Sequence, residues 1–371
     1  FTTIRGARKR DHPQSFSDVS PWWPYYRLHA DHLARVSYLN SLSTPRHRVL
    51  LLQQTTSGFL LARRGGATPE LTKMRENNAE LNQFLADHQV DYDLGDEYMA
   101  EWFGAVKDRK LHIAKASYDL LVLPPDLANL RKQTLPLLEQ WLAAGGQILA
   151  LSSPPVFVDG RPSEAPRQLR QRYAAQWHDV PSHDALLAEI TKRLPRRIDI
   201  AAAAGFSERF LASGDRVLFL TNSTLAPMRT EAVIQAGSLE LWNTETGKIT
   251  PAVYTDAGNG RVRFPVDIAP AGSLLLIART SAAAPAKPAA ITWTPLPGGD
   301  WHVKPAAGDN PLVLDYCDLQ LGKERFDNVN TWRANWLIWQ RHGFERPAWD
   351  NAVQFKRAVL DRNHFAKDSG F

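Results

Sequence analysis

Four short stretches decide the fold: RHRVLLLQ (46–53), VDYDLGDEY (90–98), YDLLVLPP (118–125) and LEQWLAAGGQILAL (138–151). Three carry a compact apolar run, VDYDLGDEY reads as a further strand over its first five residues, and long helical patterns fall between them. Runs such as Val-Leu-Leu-Leu and Leu-Leu-Val-Leu lack a polar alternate, which suits a parallel strand buried on both faces. The helix expected over 69–88 presents Leu71, Met74, Leu81, Phe84 and Leu85 at helical spacing. A second, over 131–144, presents Leu135, Leu138, Trp141 and Leu142, and Gly145-Gly146 ends it by supplying a positive φ. Strands alternating with helices at this spacing predict a parallel sheet wrapped by helices.

Working outward, 25–42 reads as a helix with Leu28, Leu33, Val36 and Leu39 at near-helical spacing, stopped by Ser43-Thr44-Pro45. Residues 55–68 read as a polar loop. A short edge pair is expected near 110–118, and helical signals return over 185–194. From Arg216 the period changes to two. Strands over 217–220, 238–242, 261–266 and 273–277, separated by Asn, Asp, Gly and Pro turns, predict an antiparallel sandwich. The segment 280–290 (TSAAAPAKPAA) is an Ala/Pro linker. Beyond it, a strand-like piece over 311–314 and helices over 331–341 and 351–360 are expected.

Composition narrows the function. The chain has 371 residues, 44% of them hydrophobic, and a formal net charge of +5 from 44 Lys and Arg against 39 Asp and Glu. That excess is mild and unclustered, which argues against a nucleic-acid partner. The single cysteine, Cys317, excludes an intramolecular disulfide and an all-cysteine metal site. No apolar run is long enough to span a membrane. The 12 Trp and 9 Tyr offer flat apolar faces that suit sugar rings as well as cores.

Chemistry-bearing residues are sparse. The expected parallel sheet has no GxGxxG and no GxxxxGK[ST]. The turn after its 147–151 strand, Ser152-Ser153-Pro154-Pro155, is no nucleophile elbow. Asp93, Asp96, Glu97 and Glu101 cluster after a strand and could serve as paired carboxylates, yet they read equally well as a solvated loop opening a helix. His29 and His32, at i,i+3, lack a third metal ligand. The loop RGARKRDHPQSFSDVSPWWPYY (5–26) is the best sugar-site candidate: Arg10 and Asp11 would bind hydroxyls while Trp22 and Trp23 stack on the ring. Packing of both tryptophans against a neighbouring domain is the alternative.

PWWPYYRLHADHLARVSYLNSL (21–42), the four opening stretches, LVLDYCDL (312–319) and WDNAVQFK (349–356) together resemble the family-106 glycoside hydrolases, typified by α-L-rhamnosidases. The resemblance implies the end of a (β/α)8 barrel over 1–45, a three-layer amidotransferase-like α/β domain over 46–200, a β-sandwich over 201–280 and a further β-rich domain begun over 281–371. It implies hydrolysis of terminal rhamnosides by inversion, with both catalytic glutamates and a calcium site upstream of Phe1, so no catalytic or metal-binding residue is assigned here. The expected partner is a rhamnose-containing glycan and the expected compartment periplasmic or extracellular. A non-catalytic carbohydrate-binding or scaffold protein is the alternative reading.

Overall fold

The structure, a computed structural model, describes residues 22–63, 66–287, 294, 298 and 316–343. It divides into two compact units, Asp31–Ile291 and the remainder, Phe1–Ala30 with Thr292–Phe371.

The larger unit holds a five-stranded parallel sheet in the order Trp177–Asp179, Gln147–Ala150, Leu120–Leu123, Val49–Leu52, Tyr92–Gly95. Both central strands are buried at all four positions. Their alternate residues feed two cores. Leu50, Leu52, Leu121 and Leu123 meet the helix Thr134–Ala143 through Leu138, Trp141 and Leu142. Val49, Leu51, Leu120 and Val122 meet Pro69–Asp87 and His183–Arg193 through Leu81, Leu85, Leu186 and Ile190. Each such leucine contributes about 1.5–3 kcal/mol on burial. At the end of Thr134–Ala143, Gly145 has φ +92°, and a Cβ on Gly146 would lie 2.3 Å from the Trp141 ring, so this glycine pair both turns the chain and admits the indole.

Several elements differ from expectation. Thr55–Leu61 is a helix where the sequence predicts a polar loop; its Ser57 is fully buried and accepts from the Ala128 and Asn129 N–H groups, partners remote in sequence. Ala165–Arg172 is a helix with only Pro166 and Leu169 buried, too few apolar positions to show a period. Trp177–Asp179 completes the sheet with three residues. Ser43–Pro45 ends the preceding helix, Tyr26–Leu42, as expected, but it is also a strand, antiparallel to Gly205–Leu211.

The all-β region contains two antiparallel sheets. One runs Ser43–Pro45, Gly205–Leu211, Arg216–Thr221, Ser273–Arg279, Ser238–Trp242, Ile249–Pro251; the other runs Asp199–Ile200, Met228–Gln235, Arg261–Ile268, Thr255–Gly258. Arg261–Ile268 alternates strictly, with Val262, Phe264, Val266 and Ile268 buried. They share one core with Leu218, Leu220, Leu239 and Leu276 of the first sheet. The opposite face of the first sheet packs Val217, Leu275 and Ile277 on Leu39.

In the second unit, the described residues form a hairpin, Tyr316–Leu321 with Glu324–Asn330, followed by the helix Thr331–Arg341, at the bounds expected for it. The strand expected over 311–314 and the helix over 351–360 lie outside the described residues.

Candidate functional site

Of the four residues singled out for sugar contact, Arg10 and Asp11 lie outside the described residues. Trp22 and Trp23 begin the described chain, where Trp23–Tyr25 forms a 3-10 turn leading into Tyr26–Leu42. Pro24 supplies the fixed φ that favours such a start. Trp23 and Tyr26 stack with centroids 5.2 Å apart and planes 11° apart, and Trp22 tilts against Tyr26 at 5.8 Å. Both indoles remain 39% exposed. The structure therefore brings two of the predicted residues into an aromatic cluster with exposed faces, a geometry that can pack against the C–H face of a pyranose.

The histidine pair does not build a metal site. His32 Nδ1 lies 2.9 Å from Glu245 Oε1, and the His29 ring lies against Tyr26 at 6.2 Å. Among the described residues, no group of three His, Cys, Asp or Glu side chains could hold a metal ion.

Each carboxylate of the cluster after the Tyr92–Gly95 strand has a structural partner. Asp96 caps the helix Glu97–Phe103, accepting from the Tyr98 and Met99 N–H groups at 2.9 and 3.0 Å. Glu101 pairs with Arg131 at 2.6 Å, whose guanidinium also lies 3.5 Å over the Tyr98 ring. Glu97, which the sequence leaves open between a paired carboxylate and a solvated loop opening a helix, begins the helix and is buried. Its Oε1 accepts from Thr134 Oγ1 at 2.7 Å and from the Arg131 N–H at 2.8 Å, and its Oε2 accepts from Thr56 Oγ1 at 2.8 Å. No local pattern signals this, because all three donors are remote in sequence.

Ligands of open α/β sheets bind beyond the carboxyl ends of the strands, where the strand order reverses. Here that point lies between Val49–Leu52 and Leu120–Leu123, and protein fills it. Ser57, fully buried, accepts from the Ala128 and Asn129 N–H groups at 3.1 and 3.0 Å. Gln54 donates to the Pro125 carbonyl, and the Asn129 side chain accepts from Gly160 N–H at 2.9 Å. These bonds tie the crossing loops to one another.

Asp93 points to the other end of the sheet. Its Oδ1 meets His47 Nδ1 at 2.7 Å and its Oδ2 accepts from Tyr118 at 2.8 Å. The hydrogen bond from His47 holds the Asp93 carboxyl below its usual range, and the same bond raises the imidazole.

No family model and no curated protein matches the chain. Among solved structures, it is similar to a rhamnosidase from Novosphingobium sp. PP1Y, with 18% identity and a TM-score of 0.53 over 75% of this chain and 27% of that one. The chain thus spans about a quarter of that enzyme's length. A GH42 β-galactosidase from G. stearothermophilus aligns with 11% identity and a TM-score of 0.43, over 64% of this chain and 41% of that one. An exo-carrageenase GH42 from Bacteroides ovatus aligns with 13% identity and a TM-score of 0.42, over 63% and 29%. Of these three, the rhamnosidase alone aligns closely enough to establish a shared fold.

Proposed function

We propose that this chain is part of a glycoside hydrolase of the α-L-rhamnosidase type, a support portion whose catalytic glutamates lie upstream. The single observation that carries the reading is the fold likeness to the rhamnosidase across three quarters of this chain. Two features agree with it. The clustered carboxylates Asp93, Asp96, Glu97 and Glu101 are each spent on a hydrogen bond or ion pair that holds the fold. The aromatic cluster of Trp22, Trp23 and Tyr26 presents exposed ring faces.

In this reading, residues 1–45 complete a (β/α)8 barrel, and Trp22 and Trp23, with Arg10 and Asp11, line its sugar-binding face. The parallel-sheet region is an amidotransferase-like support domain, and sandwich modules follow. The substrate is a terminal rhamnoside of an extracellular or periplasmic glycan. Inversion would proceed by single displacement: one upstream carboxyl protonates the leaving oxygen while the other activates water. Any calcium belongs to the upstream barrel.

The test is hydrolysis of an aryl α-L-rhamnoside. The 371-residue chain should release no nitrophenol, whereas the protein extended through its upstream coding sequence should release it, with the opposite anomer as first product by NMR. Release by the short chain, or none by the extended protein, overturns the proposal. Sugar binding without hydrolysis by the extended protein would favour the carbohydrate-binding scaffold.

A further inference from the structure

Among the described residues, the chain passes between the parallel-sheet region and the sandwich through two short segments. Residues 46–48 join the strand Ser43–Pro45 to Val49–Leu52, and residues 194–198 join the helix His183–Arg193 to Asp199–Ile200. The first segment carries His47 and the second Arg197. Arg197 links the two by donating to the Arg46 carbonyl. Beside them the two regions do not close on one another. A cleft of 310 Å³ lies there, with His47 and Tyr92 on the sheet side and Ser207, Phe219 and Thr221 on the sandwich side. Two connecting segments beside an open cleft are the layout of a hinge.

A cluster of charged groups spans these segments. On the sandwich side, Arg197 and Arg216 donate to Glu208 at 2.8 and 2.6 Å. On the sheet side, His47 Nδ1 meets Asp93 Oδ1 at 2.7 Å, and Tyr118 donates to Asp93 Oδ2 at 2.8 Å. Asp91 adjoins both. Its side chain is 10% exposed, its Oδ2 has no hydrogen bond, and Arg197 Nη1 lies 3.6 Å away. The other charged or titratable groups around Asp91 are committed elsewhere: Arg48 to Asp119, Arg196 to Gln89 and His88 Nδ1 to the Phe84 carbonyl. A charge on Asp91 is therefore offset chiefly by His47 and Arg197.

Two members of the cluster change charge in neighbouring pH ranges. Burial raises the Asp91 carboxyl from 3.8 to about 6. The hydrogen bond to Asp93 raises His47 above its usual 6.5. A group raised on folding favours the folded arrangement while protonated, and loses that advantage as pH rises through its folded value. Both groups thus act in one direction, Asp91 through about 6 and His47 above 6.5. Asp93, held low by the bond from His47, stays charged across this window. Loss of both protons leaves Asp91, Asp93 and Glu208 facing Arg197 and Arg216 without an imidazolium.

We propose that the two connecting segments form a pH-dependent hinge, closed in mild acid while His47 and Asp91 each hold a proton and loosened when both give it up. Opening hydrates Asp91 and so relieves the cost of its buried charge. The hinge is a property of the fold and rests on none of the sugar chemistry proposed above.

Hydrogen exchange of the 371-residue chain, read by mass spectrometry as protection factors corrected for intrinsic rate, tests it. Peptides over 43–48 and 194–211 should lose about tenfold in protection between about pH 5.5 and about pH 8. They should stay less protected than the strands Leu120–Leu123 and Arg261–Ile268, and should respond weakly to urea, as a local opening that exposes little surface does. Asp91→Asn should remove most of the pH response, and Asp91→Asn combined with His47→Gln all of it. Equal or greater protection at the higher pH overturns the proposal. So does a wild-type pH response in the double variant, or exchange of the hinge peptides only together with the two strands and with the same urea dependence.

Discussion

The two ends of one parallel sheet are put to opposite uses. At the carboxyl end, where such sheets usually receive ligands, Glu97 and Ser57 are buried and their oxygens bonded by protein donors. At the amino end, Asp91 is nearly as buried, and its Oδ2 has no donor. Burial alone therefore does not mark a functional carboxylate in this chain. What separates the two is whether the fold supplies the donors. Glu97 fastens three remote segments, whereas Asp91 keeps a buried oxygen that no protein donor meets, with Arg197 Nη1 3.6 Å away.

The comparison can be broken at the residue that fastens the amino end itself. Glu208, 1% exposed, accepts from Arg197 at 2.8 Å and from Arg216 at 2.6 Å. Arg197 also donates to the Arg46 carbonyl, tying the sandwich strand to the segment entering the parallel sheet. Glu208→Ala leaves two guanidinium groups without their carboxylate, and breaking a buried pair in this way costs about 3–5 kcal/mol. Urea unfolding should show that loss; a cost below about 1 kcal/mol would mean water replaces the carboxylate and the network holds little. Glu97→Ala tests the carboxyl end. It strands two hydroxyls and one backbone N–H, and should cost about 2–4 kcal/mol. Glu97→Gln keeps an amide oxygen as an acceptor and should recover part of it.

Asp91→Asn sharpens the contrast, because it should act in the other direction. Burial is the main cause that pushes the Asp91 carboxyl up, from 3.8 to about 6. A carboxyl raised on folding favours the folded chain while protonated, and that advantage is lost as pH rises through about 6. Above that pH the folded chain holds a charge it disfavours. Asp91→Asn should then be more stable than the parent by about 1–3 kcal/mol at about pH 8, with the difference shrinking toward about pH 4. Parallel pH profiles would show instead that the carboxylate is solvated in the folded chain.

The sheet is legible in the sequence and its ends are not. VLLL and LLVL announce doubly buried strands because that reading needs only their own side chains. RVRFPVDI announces a half-buried strand by strict alternation. Gly205–Leu211 and Met228–Gln235 are hidden because Glu208 occupies a buried position, where Arg197 and Arg216 meet it, and because the buried run Ala232-Val233-Ile234 breaks the alternation. The role of Glu97 depends on Thr56, Arg131 and Thr134, which the fold alone brings together. The aromatic cluster is half legible: Trp22 and Trp23 stand out in the sequence, while the stacking of Trp23 on Tyr26 follows from the helix start. Asp91 carries no signal, since nothing in VDYDLGDEY distinguishes it from Asp93 or Asp96.

Asp96 gives the smallest expected effect and the cleanest separation of fold from chemistry. It is one of the clustered carboxylates that could form a catalytic pair, and the structure gives it a cap's work: two N–H groups of the Glu97–Phe103 helix at 2.9 and 3.0 Å. Asp96→Ala should cost about 1 kcal/mol, as loss of an N-cap does. Asp96→Ser should restore most of it, because a hydroxyl can accept the same bonds without the charge. Hydrolysis by the upstream-extended protein should follow stability and nothing else. A catalytic carboxylate behaves otherwise: serine would not rescue it, and turnover would fall by orders of magnitude while the melting temperature barely moved. Rescue by Asp96→Ser therefore decides between cap and catalyst, and with it whether the carboxyl end of the sheet is structural throughout.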